Sequence, residues 1–113
     1  MKGTKPTGAE EQFISIQEGA KMTAKYREGR DTGTIIGGFF SQTTLKTILS
    51  QKGCIGVRYY FAQDFDKETE QYRPVLVLVG VDKENNDMVE GVIAERGVPC
   101  PPICSSPNPL NRG

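Results

Sequence analysis

The side chains best suited to chemistry in this sequence are its three cysteines, two of which stand in Pro99-Cys100-Pro101-Pro102-Ile103-Cys104. A spacing of four serves two metal ligands in a tight knuckle, or a redox pair, provided the chain folds back between them. The prolines argue against that reversal. Each fixes its own φ and drives the residue before it toward extended backbone, so Val98, Cys100, Ser106 and Asn108 are all biased extended. At about 3.1 Å per residue the two Cα atoms then stand about 12 Å apart, beyond the roughly 4.4–6.8 Å of a disulfide. A cis peptide before Pro101 or Pro102 would fold the segment back and restore both the disulfide and the metal alternatives. The expectation is an extended tail whose cysteines behave as small apolar residues. Cys100 and Cys104, with Cys54, form the alternative thiol or zinc set, although a zinc site of three cysteines lacks an obvious fourth ligand. Cys54 follows a helix C-terminus, where the dipole opposes thiolate formation, and it reads as a core residue at the start of a strand.

The sequence contains no histidine. Any catalysis would have to use carboxylates, lysine, tyrosine or cysteine, so the balance leans away from an enzyme and no catalytic residue is assigned. Two acidic stretches, Asp64, Asp66, Glu68, Glu70 and Asp82, Glu84, Asn86, alternate like the start of a calcium loop. The required glycine position holds Thr69 or Asp87, and the closing glutamate position holds Val75 or Ile93, so both read as solvated turns. Gly37-Gly38 lacks the third glycine and the lysine of a phosphate-binding fingerprint. A small-molecule pocket around Arg58, Tyr59 and Tyr60 has no motif behind it. No cofactor is called.

A chain of 113 residues is one ordinary domain, able to bury a core without staples. Its 14 basic and 14 acidic residues cancel, which leaves no basic field for nucleic acid. No apolar run reaches the length of a membrane span or a signal peptide. A cytoplasmic protein with reduced thiols is expected, because the cysteine count is odd and no secretory signal accompanies it.

The elements that must position these residues follow from periodicity. After a flexible start over 1–12, Ser15-Ile-Gln-Glu18 is a capping box, with the Ser15 hydroxyl accepting from the Glu18 amide and the Glu18 side chain reaching back to the Ser15 amide. The helix it opens carries Ile16, Gly19, Ala20, Met22, Thr23, Ala24 and Tyr26 on one arc. Arg27 falls inside that arc as a snorkelling last-turn cation. Gly29 to Gly33 is a loop, and Thr34 to Phe40 a short or bulged strand. Ser41 caps a second helix with Leu45, Ile48 and Leu49 as its buried stripe, and Gly53 stops it. From Cys54 the period becomes two, and Tyr72 to Val81 answers as the second arm of a hairpin across the acidic turn Asp64 to Glu70. Met88 to Ala94 returns as a third, shorter strand. Val75, Val77, Val79 and Val81 point to one face, Leu76 and Leu78 to the other, so both faces need cover.

The stretches Ile14-Ser-Ile-Gln-Glu-Gly19, Gln51-Lys-Gly-Cys-Ile-Gly-Val-Arg-Tyr59, Leu76-Val-Leu-Val-Gly-Val-Asp82 with Asn86-Asp-Met88, and the Pro99-Cys-Pro-Pro-Ile-Cys104 tail together cover most of the chain. In them the chain resembles a family of small uncharacterised proteins of Bacteroidetes-type bacteria. That resemblance implies no activity, substrate or catalytic residue.

The sequence therefore predicts an α+β fold, with two N-terminal helices on one face of a three- to four-stranded, mainly antiparallel meander over 13–97 and an extended proline-rich tail over 98–113. Two short helices cover one sheet face, and the other, carrying Leu76, Leu78 and Tyr60, needs the tail or another subunit. The expected function is non-enzymatic binding or self-association, through that face and through Pro99, Cys100, Pro101, Pro102, Ile103 and Cys104. A homodimer or another protein is the expected partner, with no nucleic acid and no membrane.

Overall fold

The computed structural model describes residues 3–31 and 33–112. Met1 and Lys2 of the expected flexible start, Thr32 of the expected loop and Gly113 of the tail lie outside them. Among the described residues the elements are α1 (Ile16–Arg27), β1 (Gly37–Phe39), α2 (Gln42–Leu49), β2 (Cys54–Asp66), β3 (Gln71–Asp82), β4 (Ile93–Ala94), β5 (Val98–Cys100) and α3 (Pro109–Arg112). The class is α+β, and every strand pair is antiparallel. Of the described residues, those up to Glu10 form one compact unit with Phe40–Gly97, and those of Glu11–Phe39 form a second with those from Val98 onward.

The first unit is built on the β2–β3 hairpin, within a sheet of order β2-β3-β4. Pairing runs from Cys54 opposite Asp82 to Asp66 opposite Gln71. The turn is thus confined to residues 67–70, with Glu70 at φ 56° closing it in the left-handed region. Asp64, expected in the turn, lies within the strand instead, opposite Arg73, whose Nη2 is 3.5 Å from its carboxylate. The third strand is shorter than expected. Met88 donates to the Gly80 carbonyl at 2.8 Å and Gly91 to the Met88 carbonyl at 3.0 Å, so 88–91 is spent on a turn and only Ile93 and Ala94 pair with Val79 and Leu78.

Ser41 caps α2 as expected, its hydroxyl accepting from the Thr44 amide at 3.1 Å. Of the predicted stripe only Ile48 is fully buried, joining Leu78, Val79 and Val81 as the core, while Leu45 and Leu49 remain exposed. Length explains this. Eight helical residues span about 12 Å, against about 43 Å for a thirteen-residue strand, so the helix covers only one end of the hairpin. Gln51, just beyond the helix, fixes that end. Its Nε2 donates to the Ile48 carbonyl at 2.8 Å, and its Oε1 accepts from the Val92 amide at 2.9 Å. The side chain fills the space that Cβ atoms on Gly80 and Gly91 would take.

In the second unit Ser15 accepts from the Glu18 amide at 3.0 Å, and the Glu18 carboxylate meets the Ser15 hydroxyl rather than its amide. α1 lies against α3. Leu110 rests on Gly19, where a Cβ would come within 3.2 Å of Leu110 Cδ2. Arg27 Nη1 donates to the Leu110 carbonyl at 2.5 Å, a defined partner for the residue expected to snorkel. β1 pairs with β5, Gly37 opposite Cys100 and Phe39 opposite Val98.

Two expectations about the architecture are corrected. The two N-terminal helices do not belong to one unit: α2 groups with the meander, and α1 with β1, β5 and α3. The tail is not extended either: it pairs as β5, reverses, and ends in a helical turn.

Candidate functional site

The reversal in the tail occurs at the cysteines. The Cys100–Pro101 and Pro101–Pro102 peptides are both cis, and the Cys100 and Cys104 Cα atoms stand 4.9 Å apart, joined by a disulfide. This overturns the expected separation of about 12 Å and the expectation of reduced thiols for this pair. A bridge across a sequence separation of four is a local clasp and requires no framework of further cysteines. The Cys100 carbonyl accepts from the Ile36 amide at 2.8 Å, and the Ile103 amide donates to the Pro99 carbonyl at 3.2 Å, so backbone bonds hold both sides of the clasp. Pro99, Cys100 and Pro101 are half-buried, whereas Pro102, Ile103 and Cys104 are exposed. Asn108 and Asn111 tie the remaining residues down through the Ser105 and Ser106 carbonyls.

Cys54 is a free, half-buried thiol in the first unit, donating to the Gly56 carbonyl at 3.2 Å. Among the described residues no group of three or more Cys, Asp or Glu side chains is placed to hold a metal ion, and no helix is long and apolar enough to cross a membrane.

The hairpin supplies the other candidate surface. Residues directly opposite in an antiparallel ladder share a face. Tyr59 faces Leu78, Phe61 faces Leu76, Gln63 faces Pro74 and Phe65 faces Tyr72. Leu76 and Leu78 therefore share a face with Tyr59, Phe61, Phe65 and Tyr72, and the expected assignment of Tyr60 to it is corrected: Tyr60 lies opposite Val77 on the valine face. Leu78 is buried at the covered end, but Tyr59, Phe61, Phe65 and Tyr72 are all exposed, Phe61 most of them at 84%. The rings contact one another in pairs. Tyr59 and Phe61 meet edge to face with centroids 5.6 Å apart, and Phe65 and Tyr72 do so at 5.3 Å.

On the valine face a polar cluster closes the near end. Arg58 Nη1 is 2.6 Å from Asp87 Oδ1, Arg58 Nη2 is 2.6 Å from Asn85 Oδ1, and the Tyr60 hydroxyl donates to Asp87 Oδ2. The Tyr60 hydrogen bond, followed by that from Arg58, holds the Asp87 carboxyl below its ordinary range. The same bond to Asp87 raises the Tyr60 phenol above its ordinary value. Asp87 is thus a satisfied acceptor and Tyr60 a neutral donor, an arrangement that fixes the turn 82–87 against the sheet. It leaves no free base.

The aromatic set was readable in part from the period-two spacing of Tyr59, Phe61 and Phe65. Asp87 carried no signal, since a residue in an acidic turn shows nothing of its partner across 29 positions. Compared with known proteins, the chain matches no family model, no curated protein and no solved structure.

Proposed function

We propose that this chain is a non-enzymatic self-association domain whose contact surface is the far half of the β2–β3 hairpin. The observation that carries it is the row Tyr59, Phe61, Phe65 and Tyr72, exposed side by side on one sheet face beyond the reach of α2. Apolar patches of this kind on soluble proteins mark interaction surfaces. A second copy suits a chain with net charge zero, since two copies do not repel.

Sedimentation equilibrium of the wild type and of Phe61→Ser tests this. Burying a Phe contributes about 1.5–3 kcal/mol, and the loss counts once in each copy. Dissociation should therefore strengthen about 100-fold or more, since each 1.4 kcal/mol is tenfold. A wild type that remains monomeric, or a variant that associates equally well, overturns the proposal.

The Cys100–Cys104 bridge favours a second reading, a thiol–disulfide protein. A thiolate of a reducing dithiol would attack the exposed Cys104 sulfur, forming a mixed disulfide and releasing Cys100 as thiolate. The second thiol of the dithiol would then displace Cys104, leaving the reagent oxidised and this chain with two thiols. Titration with dithiothreitol, followed by alkylation and mass measurement, tests it. Reduction at a potential near the glutathione poise supports exchange, and resistance far below that poise assigns the bridge a structural role.

A further inference from the structure

The two outer edges of the hairpin are protected differently. β3 is flanked by β4 only at Leu78 and Val79 and by the Val81–Asp87 bridge. In its uncovered stretch stands Pro74, which has no N–H to offer an incoming strand. β2 is outermost in the order β2-β3-β4. Its one irregularity lies between Cys54 and Gly56, and Gly8 lies against the Ile55 carbonyl there. From Gly56 to Asp66 the ladder is regular and contains no proline or bulge, two of the devices that normally blunt an edge, and its charges are confined to Arg58, Asp64 and Asp66.

We infer that Gly56–Asp66 is a pairing edge for a second copy of this chain, the two β2 strands joining antiparallel about a two-fold axis at Phe61. The inference rests on the self-association proposed above and names its geometry. The register follows from three features. Phe61 is the midpoint of the regular stretch, so pairing about it uses the whole of that stretch. It sets Arg58 against Asp64 of the other copy, Val57 against Phe65 and Tyr59 against Gln63, so opposite charges face, beside the ion pairs that Arg58 makes with Asp87 and Asp64 with Arg73 inside each copy, and Val57 meets an aromatic ring. It also sets Phe61, the most exposed ring of the arm, against itself, and aromatic cross-strand pairs stabilise a sheet. Centring on Tyr60 instead would put Arg58 against Ala62 and Asp64 against Gly56. Centring on Ala62 would leave Gly56 and Val57 opposite the turn. The product is one sheet of order β4-β3-β2-β2-β3-β4, in which the aromatic faces of both copies lie on the same side and become continuous.

Spin labels on single cysteines at positions 57, 63 and 65, in a Cys54→Ser background of the full chain with its bridge intact, read the register directly. At about 3.3 Å per residue, equivalent Cα atoms should lie about 13 Å apart at 63 and about 26 Å apart at both 57 and 65. Equal distances at 57 and 65 are the signature of the axis at Phe61. Unequal distances, or a wild type that associates without this pattern, overturn the inference while leaving self-association intact. A wild type monomeric at every concentration overturns both. Should the labelled variants fail to associate, hydrogen exchange on the unmodified chain decides. Protection gained with concentration in the amides of 56–66 supports the pairing, and its absence there contradicts it.

Discussion

Replacing Gly80 with alanine should destabilise the hairpin unit, although alanine is ordinarily the better strand residue. A Cβ at Gly80 would lie 2.7 Å from Gln51 Nε2, 3.1 Å from Cys54 Sγ and 3.3 Å from Met88 Sδ. The sulfur contacts need only a few tenths of an ångström. The Gln51 contact is different, because that amide is held at both ends, by the Ile48 carbonyl and the Val92 amide. Moving it breaks two hydrogen bonds of about 0.5–1.5 kcal/mol each. Against that stands a gain of about 0.5–1 kcal/mol from removing a glycine from a strand interior. The net expectation is a loss of about 1 kcal/mol within a range of about 0–2.5 kcal/mol, or a fall in Tm of about 4–8 °C for the central value. Gln51→Ala alone loses the same two bonds. In that background Gly80→Ala should be neutral or stabilising, because the obstacle is gone. Urea unfolding of the wild type, both single variants and the double variant closes the cycle, with a coupling of about 1 kcal/mol or more expected for groups in contact. Strict additivity would refute the wedge role of Gln51.

Other outcomes follow from the same contacts. Ile48→Ala removes the largest fully buried side chain of the core and should cost about 2–5 kcal/mol in urea unfolding. Asp87, whose carboxyl is held low by Tyr60 and Arg58, contributes stability that is complete above its unfolded pKa and lost as pH falls through its folded value. Asp87→Asn should flatten that acid limb, and an unchanged limb would contradict the assignment. Glu10, lowered to about 2 first by the Thr7 amide and then by those of Glu10 and Gly8, behaves likewise, so the turn at Thr7–Glu10 should stay intact to about pH 3 by NMR chemical shift. Opening the bridge with Cys100→Ser and Cys104→Ser removes a constraint worth about 2 kcal/mol for so short a loop, read as faster exchange of the Ile36 amide that donates to Cys100.

Local rules reached some of this structure and stopped at identifiable places. Ser15 and Ser41 announce α1 and α2 because a cap is decided within three or four residues. The alternation from Cys54 and from Tyr72 announces β2 and β3 for the same reason. The face of Tyr60 was not legible, because it depends on turn length. A seven-residue turn over Asp64 to Glu70 sets even-numbered residues opposite even-numbered ones and so groups Tyr60 with Leu76 and Leu78. The four-residue turn over 67–70 reverses that parity. The pairing of Gly37–Phe39 with Val98–Cys100 joins segments about sixty positions apart, one of them led by two glycines with no side-chain pattern. The bridge was hidden behind prolines whose default geometry separates the cysteines. The exposed aromatic row sits between these cases, since its spacing was visible but its exposure depends on how short α2 is.

The central claim is that the open hairpin arm associates with a second copy, and native mass spectrometry of the unmodified chain tests it most directly. The account predicts a species of twice 12.4 kDa, each chain lighter by the two hydrogens of the Cys100–Cys104 bridge, with the dimer surviving when reductant restores those hydrogens. A species that stays at the mass of one chain as the concentration is raised would contradict it.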